Sequence, residues 1–256
     1  MVSPHAAKIS IGQYEGSPDL WSCIPDQSAV GWQKFTLRFA FAGRNSSMSS
    51  DEAIDRVTAT GVFVETLSRS EVHRLGHWHQ VFHCLIVRPT RSTVVLQRRS
   101  ASARSFAGRL DLSATGHLVA GEDPTAGIRE LREELGIHVD HDQLVPLGTR
   151  LLADDAGEGQ NRERIHAFLL SDERPLTDFE PDPSEVQSLV EVPIDELLLV
   201  LDDPAAEAKA TEWQPGSKPR DTILSAQELV GQVDSYWLVL LVMAQRFVDG
   251  NRPLAI

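Results

Sequence analysis

The chain has few cysteines, no excess of positive charge and no long apolar run, and each of these absences excludes a class of protein. Two cysteines, Cys23 and Cys84, cannot build a disulfide framework, which favours a reducing compartment. A formal net charge of -13 argues against a general nucleic-acid binder, because phosphate backbones would repel the chain. The longest apolar run, Trp237 to Ala244, is far shorter than the roughly 20 residues of a membrane span, and the first residues lack the apolar core of a signal peptide. We therefore expect a cytoplasmic protein that does not bind membranes or nucleic acids.

Carboxylates are abundant by contrast, and one short segment, Arg129 to Ile137, concentrates them. Glu130, Glu133 and Glu134 have the i, i+3, i+4 spacing that places three side chains on one face of a helix. Three neighbouring carboxylates repel one another unless a cation neutralises them. The segment therefore favours a site for a hard divalent cation, although a solvated acidic helix has the same pattern.

The residues before this helix complete the unit. Glycines from Gly116 to Gly121 permit a tight loop, Asp123-Pro124 is typical of a helix N-terminus, and Gly136 follows the last turn. A backbone carbonyl of the loop, which we place at Gly116, can then meet the helix carboxylates at one metal. Magnesium suits such a site because it prefers oxygen ligands and retains waters and substrate phosphates, and manganese can substitute for it.

The segment from Gly116 to Ile137 resembles the Nudix box, with one departure. Six residues lie between Glu122 and Arg129, one fewer than the pattern has. A missing residue rotates the start of the helix by about 100° or shortens the loop. The resemblance implies a magnesium-dependent hydrolase of a diphosphate linkage in a nucleoside diphosphate derivative or a related organic pyrophosphate. It also implies that Glu122, Arg129 and Gly136 are structural parts of the motif.

The likeness extends to roughly residues 58–202 and is strongest to the branch of isopentenyl diphosphate isomerases and their hydrolase relatives. It implies an α/β/α sandwich with a mixed β-sheet. We expect an N-terminal extension at 1–50 with little order, a Nudix domain at 51–202 and a C-terminal helical extension at 203–256. Strands are predicted at 61–65, 79–87, 93–97, 144–152, 164–170 and 188–192, and helices at 125–135, 194–201 and 235–248.

The same family resemblance suggests roles for individual residues. Hydrolysis needs a proton acceptor, which is a box glutamate, Glu130 or Glu133, or a glutamate of a later loop. Glu185 is the best later candidate and Glu163 is the next.

Substrate contacts are predicted at three positions. Arg98 and Arg99 follow an apolar strand, so one of the two side chains can point into the cleft, where the related enzymes place a phosphate-binding arginine. Trp78 can stack on a substrate, although half-buried packing is the commoner role of such a tryptophan.

Five histidines lie near these segments: His73, His77, His79, His83 and His117. His79 and His117 match positions that bind metal in the isomerases. Imidazole prefers zinc, manganese or iron to magnesium, so a histidine site would be separate from the glutamates.

Two alternatives to a hydrolase stay open. The isomerases have a catalytic cysteine where this chain has Thr115, whose hydroxyl is a far weaker acid than a thiol. Some Nudix domains serve as ligand sensors instead of enzymes. The apolar helix that includes Trp237 and Phe247 can form a homodimer seam, although docking on its own domain is the default.

Overall fold

The computed structural model describes residues 51–154, 160–231 and 234–256. These described residues belong to one compact unit. The predictions for residues 1–50 lie outside the described residues.

The described residues form eleven β-strands and four α-helices. The strands are β1 Ala53–Val57, β2 Phe63–Ser68, β3 Trp78–Arg88, β4 Thr93–Arg99, β5 Leu110–Asp111, β6 Ala114–His117, β7 Leu144–Asp154, β8 Asn161–Ser171, β9 Val186–Pro193, β10 Ala208–Trp213 and β11 Arg220–Leu224. The helices are α1 Arg69–Leu75, α2 Arg129–Leu135, α3 Ile194–Asp202 and α4 Tyr236–Val248.

Strand β3 pairs with four other strands of the sheet. It pairs antiparallel with β4 and with β6 along one edge and parallel with β8 along the other, so the sheet is mixed. The sheet continues from β4 through β9 and β10 to β11, and from β3 through β1 to β2. β3 occupies this position because its eleven residues are almost all apolar or buried, as a strand covered on both faces requires.

The two faces of β3 carry different cores, because successive side chains of a strand point in opposite directions. Val81, Leu85 and Val87 face one cluster, which includes residues of α3 and α4. Phe82, Cys84 and Ile86 face the other, which includes Leu131 and Leu135 of α2. Helices therefore cover both faces of a mixed sheet, and the predicted α/β/α sandwich is confirmed.

The C-terminal part of the chain differs from the helical extension predicted for residues 203–256. β10 and β11 form an antiparallel hairpin, and β10 also pairs with β9, so this hairpin extends the sheet of the predicted 51–202 domain. The sequence hides the hairpin because its strands, AKATEW and RDTIL, are short and half polar.

Helix α4 packs on its own domain. Trp237, Leu240, Leu241 and Ala244 are buried in the core beneath the sheet. A homodimer stays a prediction. No helix in the described part of the chain combines the length and the apolar character needed to cross a bilayer.

Candidate active site

The acidic helix α2 is a two-turn element with defined ends. The Asp123 carboxylate accepts hydrogen bonds from the backbone of Thr125 and Ala126 and starts a 3-10 turn, Ala126–Ile128, that leads into α2. Gly136 ends the helix with φ of 70°, where it caps the carbonyls of Leu131 and Arg132. The 3-10 turn is more tightly wound than an α-helix and joins the shortened loop to α2. The glutamates of α2 therefore keep their predicted i, i+3, i+4 spacing.

Two glutamates of α2 are buried and held against strand β6. Two N–H donors bind the same oxygen of Glu134: its Oε2 accepts from Gln97 Nε2 at 3.1 Å and from the Thr115 amide at 3.0 Å. Glu130 lies directly on Gly116, where a Cβ would fall 2.0 Å from its Oε1. Only a glycine lets the carboxylate come this close, which places the Gly116 backbone beside both glutamates.

Burial makes these carboxylates reluctant to ionise. It raises the pKa of Glu130 to about 8, against the opposing effect of Arg129. It also raises the pKa of Glu134 well above its usual range, and the neighbouring Glu130 adds to this shift. Glu133 on the same face is half exposed. A pair of buried acids needs a positive partner to be charged at neutral pH, and an all-oxygen donor set of this kind fits a hard divalent cation.

Arg129 connects helix α2 to the loop that precedes it. Its guanidinium contacts Glu133 and Glu130 at 2.8 Å and donates to the His117 carbonyl. It also reaches Glu122 at 3.0 Å, whose other oxygen accepts from the Val119 amide. Glu122 therefore ties the loop to the helix even though one residue is missing between them.

The two candidate proton acceptors outside the acidic motif, Glu163 and Glu185, line the same cleft, which has a volume of about 1020 Å³. Glu185 is exposed and lies in a loop fixed to the end of α2, because the Asp182 amide donates to the Glu134 carbonyl. The Glu185 carboxylate has no side-chain partner among the described residues. Glu163, on β8, accepts from Asn161 at 2.8 Å, and burial raises its pKa.

Of the three predicted substrate-binding residues, one lines the cleft and two lie elsewhere. Arg99 lines the cleft and binds Asp111 at 3.1 Å. Arg98 points to the opposite side of β4, where it donates to Glu212 and Glu228, so its place is in a structural network. Trp78 is half-buried and does not line the cleft.

Arg69 and Arg104 are among the arginines that line the cleft although the sequence did not single them out. The Nε atom of Arg69 is buried and has no hydrogen-bond partner among the described residues. Arg104 is exposed at the cleft, and no ion pair engages it within the described chain. Neither belongs to the acidic motif, and only the fold brings them to it.

Three of the five histidines converge. The ring nitrogens of His73, His79 and His117 lie within 4.8 Å of one another, and the Nε2 atoms of His73 and His117 are 3.0 Å apart. His79 Nδ1 is 3.0 Å from the His77 carbonyl, and its buried Nε2 has no partner among the described residues. Donation from Nδ1 leaves a lone pair on Nε2, which is the state that binds metals. Burial lowers the pKa of His79 to about 4 and that of His117 well below its usual value.

Comparison with known proteins shows which family the chain resembles. The model of the NUDIX domain matches residues 77–214. An uncharacterized Nudix hydrolase of Clostridium acetobutylicum is 33% identical over 138 residues, which are 53% of this chain and 67% of that protein. Nudix hydrolase 3 of Arabidopsis thaliana is 33% identical over 144 residues, which are 54% of this chain and 19% of the much longer plant protein. The crystal structure of DR0079 from Deinococcus radiodurans is 20% identical, with a TM-score of 0.49 over 60% of this chain and 91% of that one.

Proposed function

Because the chain belongs to the Nudix family of pyrophosphohydrolases, we propose that it is a magnesium-dependent enzyme that cleaves the diphosphate linkage of a nucleoside diphosphate derivative or a related organic pyrophosphate. The observation that carries the proposal is the buried pair Glu130 and Glu134, packed on Gly116 in a cleft that arginines line. We assign Glu130, Glu133, Glu134 and the Gly116 carbonyl as the groups that hold the ion. Manganese has the same preference for oxygen ligands and can substitute.

A bound magnesium ion supplies a Lewis acid that stabilises charge on phosphoryl oxygens and acidifies water. The protein residues supply the rest. Arg69, Arg99 and Arg104 line the cleft with positive charge and bind the diphosphate. Arg129 acts indirectly, because its four carboxylate contacts hold α2 and its loop in place.

The proton of the attacking water needs an acceptor. Glu185 suits this role because it lies in the cleft beside α2 and its carboxylate is uncommitted among the described residues. A general base of this kind contributes about 10²- to 10⁴-fold to the rate. Glu130 and Glu133 are the alternatives within the box, and Glu163 is the remaining one on β8.

We propose the histidine cluster as a second metal site, for a softer ion such as zinc. The unpartnered Nε2 of His79 supports it, because a buried polar atom without a partner costs free energy that a metal bond removes. Metal analysis of protein purified without a histidine tag tests this site. The wild type should retain a metal that His79→Ala lacks, while Glu134→Gln retains it.

An isomerase is the weaker candidate. Thr115 stands where the isomerases have their cysteine, and its backbone amide is engaged with Glu134. A hydroxyl of ordinary acidity does not replace a thiol in allylic proton transfer. A non-catalytic ligand sensor is the other candidate.

The test is a product-release assay with magnesium across nucleoside diphosphate derivatives and prenyl diphosphates. We expect turnover by the wild type, none by Glu134→Gln with an unchanged thermal transition, and full turnover by Glu207→Gln, which is exposed and outside the cleft. Wild-type activity in Glu134→Gln would refute the metal assignment. Tight binding without turnover across the whole panel would favour the sensor.

A further inference from the structure

Part of the cleft is built by residues that lie beyond the family match, which stops at residue 214. Val230 and Gly231 precede α4, and Tyr236 and Trp237 form its first turn, and all four line the cleft. Both aromatic side chains are less than a tenth exposed, so what remains of their surface faces the cavity. We call these four residues, together with the neighbouring strand residues of the cleft, the C-terminal wall. The strand residues are His83, Arg150, Asn161 and Glu163.

The wall is held rigidly against strands β3 and β7. Tyr236 Oη lies 3.2 Å from His83 Nδ1, and the Arg150 guanidinium lies 4.3 Å from the centre of the tyrosine ring. Arg150 also pairs with Asp234, whose carboxylate accepts from the Tyr236 amide at 2.9 Å. Trp237 Nε1 donates to the Val230 carbonyl at 2.7 Å. These bonds fix the position of the wall before any ligand binds.

Strand β8 adds two polar side chains to the same surface. In the parallel pairing of β3 with β8, His79 lies opposite Glu163 and His83 lies opposite Ala167, so the histidines and Glu163 share one face of the sheet. Asn161 lies two residues before Glu163 and donates its amide to Glu163 Oε1. The Asn161 Oδ1 atom is buried at the cleft and has no hydrogen-bond partner among the described residues.

The polar groups of the wall are uncharged or already paired. Burial lowers the pKa of His83 to about 3, so its imidazole is neutral at physiological pH. Burial also raises the pKa of the Tyr236 hydroxyl and of the Glu163 carboxyl. Arg150 is engaged by Asp234 and by the tyrosine ring. The wall therefore offers hydrogen bonds without the free cation that a phosphate needs, in contrast to the part of the cleft that Arg69 and Arg104 line.

We propose that the C-terminal wall is the subsite for the non-phosphate moiety of the substrate, and that this moiety is an uncharged group rich in hydroxyls, such as a sugar. The inference rests on the proposed function for the position of the diphosphate. A hydrocarbon chain at the wall would offer no donor to Asn161 Oδ1 and would leave this buried oxygen unpaired, which disfavours binding. Sites built to hydrogen-bond a hydroxyl reject analogues that lack it for this reason.

The experiment measures binding and turnover separately. UDP-glucose and ADP-ribose represent sugar-bearing diphosphates, and geranyl diphosphate represents a hydrocarbon. Each is titrated by calorimetry into the wild type, Tyr236→Phe and Asn161→Leu in calcium buffer, and its turnover is followed in magnesium buffer. Tyr236→Phe keeps the ring under Arg150 and removes only the hydroxyl. Leu238→Ala is the matched control, because Leu238 lies on the same helix and is 45% exposed on its outer side.

We expect at least one sugar-bearing probe to bind the wild type about tenfold or more tightly than geranyl diphosphate, since one lost hydrogen bond is worth about tenfold. Tyr236→Phe and Asn161→Leu should each weaken that probe by about tenfold and leave geranyl diphosphate nearly unchanged, and Leu238→Ala should match the wild type. The inference is overturned if geranyl diphosphate binds more tightly, if the variants weaken both classes equally, or if neither class binds. The expected binding pattern without turnover would contradict the proposed function and leave the subsite standing.

Discussion

Replacing Gly116 by alanine tests the closest contact in the acidic site. The new Cβ would fall 2.0 Å from Glu130 Oε1 and 2.1 Å from its Cδ, whereas real Cβ contacts stay beyond 3.0 Å. The carboxylate must therefore retreat by about 1 Å, or β6 must shift. Because a 1 Å misplacement at a reacting centre costs about 10²-fold in rate, we expect kcat/KM to fall by about that factor.

The assay is the initial rate of product release as a function of magnesium concentration. Gly116→Ala should need more magnesium for half-maximal rate and should lose about 1 to 3 kcal/mol of stability from overpacking. Gly216→Ala is the control, because nothing lies within 4 Å of its Cβ and its positive φ alone is strained. We expect Gly216→Ala to lose stability and to keep wild-type activity.

A double substitution separates this clash from a general loss of folding. Glu130→Ala removes Oε1, Cδ and Cγ, the three atoms that the new Cβ would meet. Gly116→Ala should then cost much less stability in the Glu130→Ala background than in the wild type, so the two effects are not additive. Wild-type kcat/KM in the single variant Gly116→Ala would refute the reasoning.

Three further predictions follow from other contacts. Gln97→Leu removes a donor to Glu134 Oε2, so we expect about 10- to 100-fold weaker magnesium activation in an activity titration, and unchanged activation would contradict the positioning role. Arg88→Ala leaves Glu191 without its buried partner and should lower the free energy of unfolding by about 3 to 5 kcal/mol in chemical denaturation. Arg91→Ala, at a half-exposed pair with the same glutamate, should lower it by under about 1 kcal/mol. Equal losses of stability would contradict the effect of burial. Because the pKa of Glu130 is raised to about 8 on folding, the folded metal-free protein binds more protons than the unfolded chain, and stability should fall as pH rises from about 4.5 to about 8. Magnesium should therefore raise the thermal transition more at pH 8 than at pH 5, and a pH-independent shift would exclude this linkage.

Long apolar strands and the acidic motif are predictable from the sequence. Most residues of β3 from Val81 to Val87 are apolar, and the predicted strand 79–87 falls within the observed Trp78–Arg88. Helix α3 at Ile194–Asp202 likewise agrees with the prediction within one residue. In both cases local periodicity and burial point to the same structure.

Short elements and tertiary contacts are not predictable in the same way. β5 and β6 have two and four residues, too few for a periodic pattern, and α1 buries only Val72. Ser68 and Gly76 are capping signals that could have revealed α1. The cleft positions of Arg69 and Tyr236 depend on how distant segments pack, which the spacing of residues along the chain does not encode.

The central claim is that the carboxylates of α2 hold a divalent ion in the cleft. Anomalous scattering from crystals soaked in manganese, with a nonhydrolysable diphosphate analogue, tests it most directly. We expect a manganese peak among Glu130, Glu133 and Glu134, with the diphosphate beside it. A protein that hydrolyses diphosphates but shows no peak at these three glutamates would contradict the account.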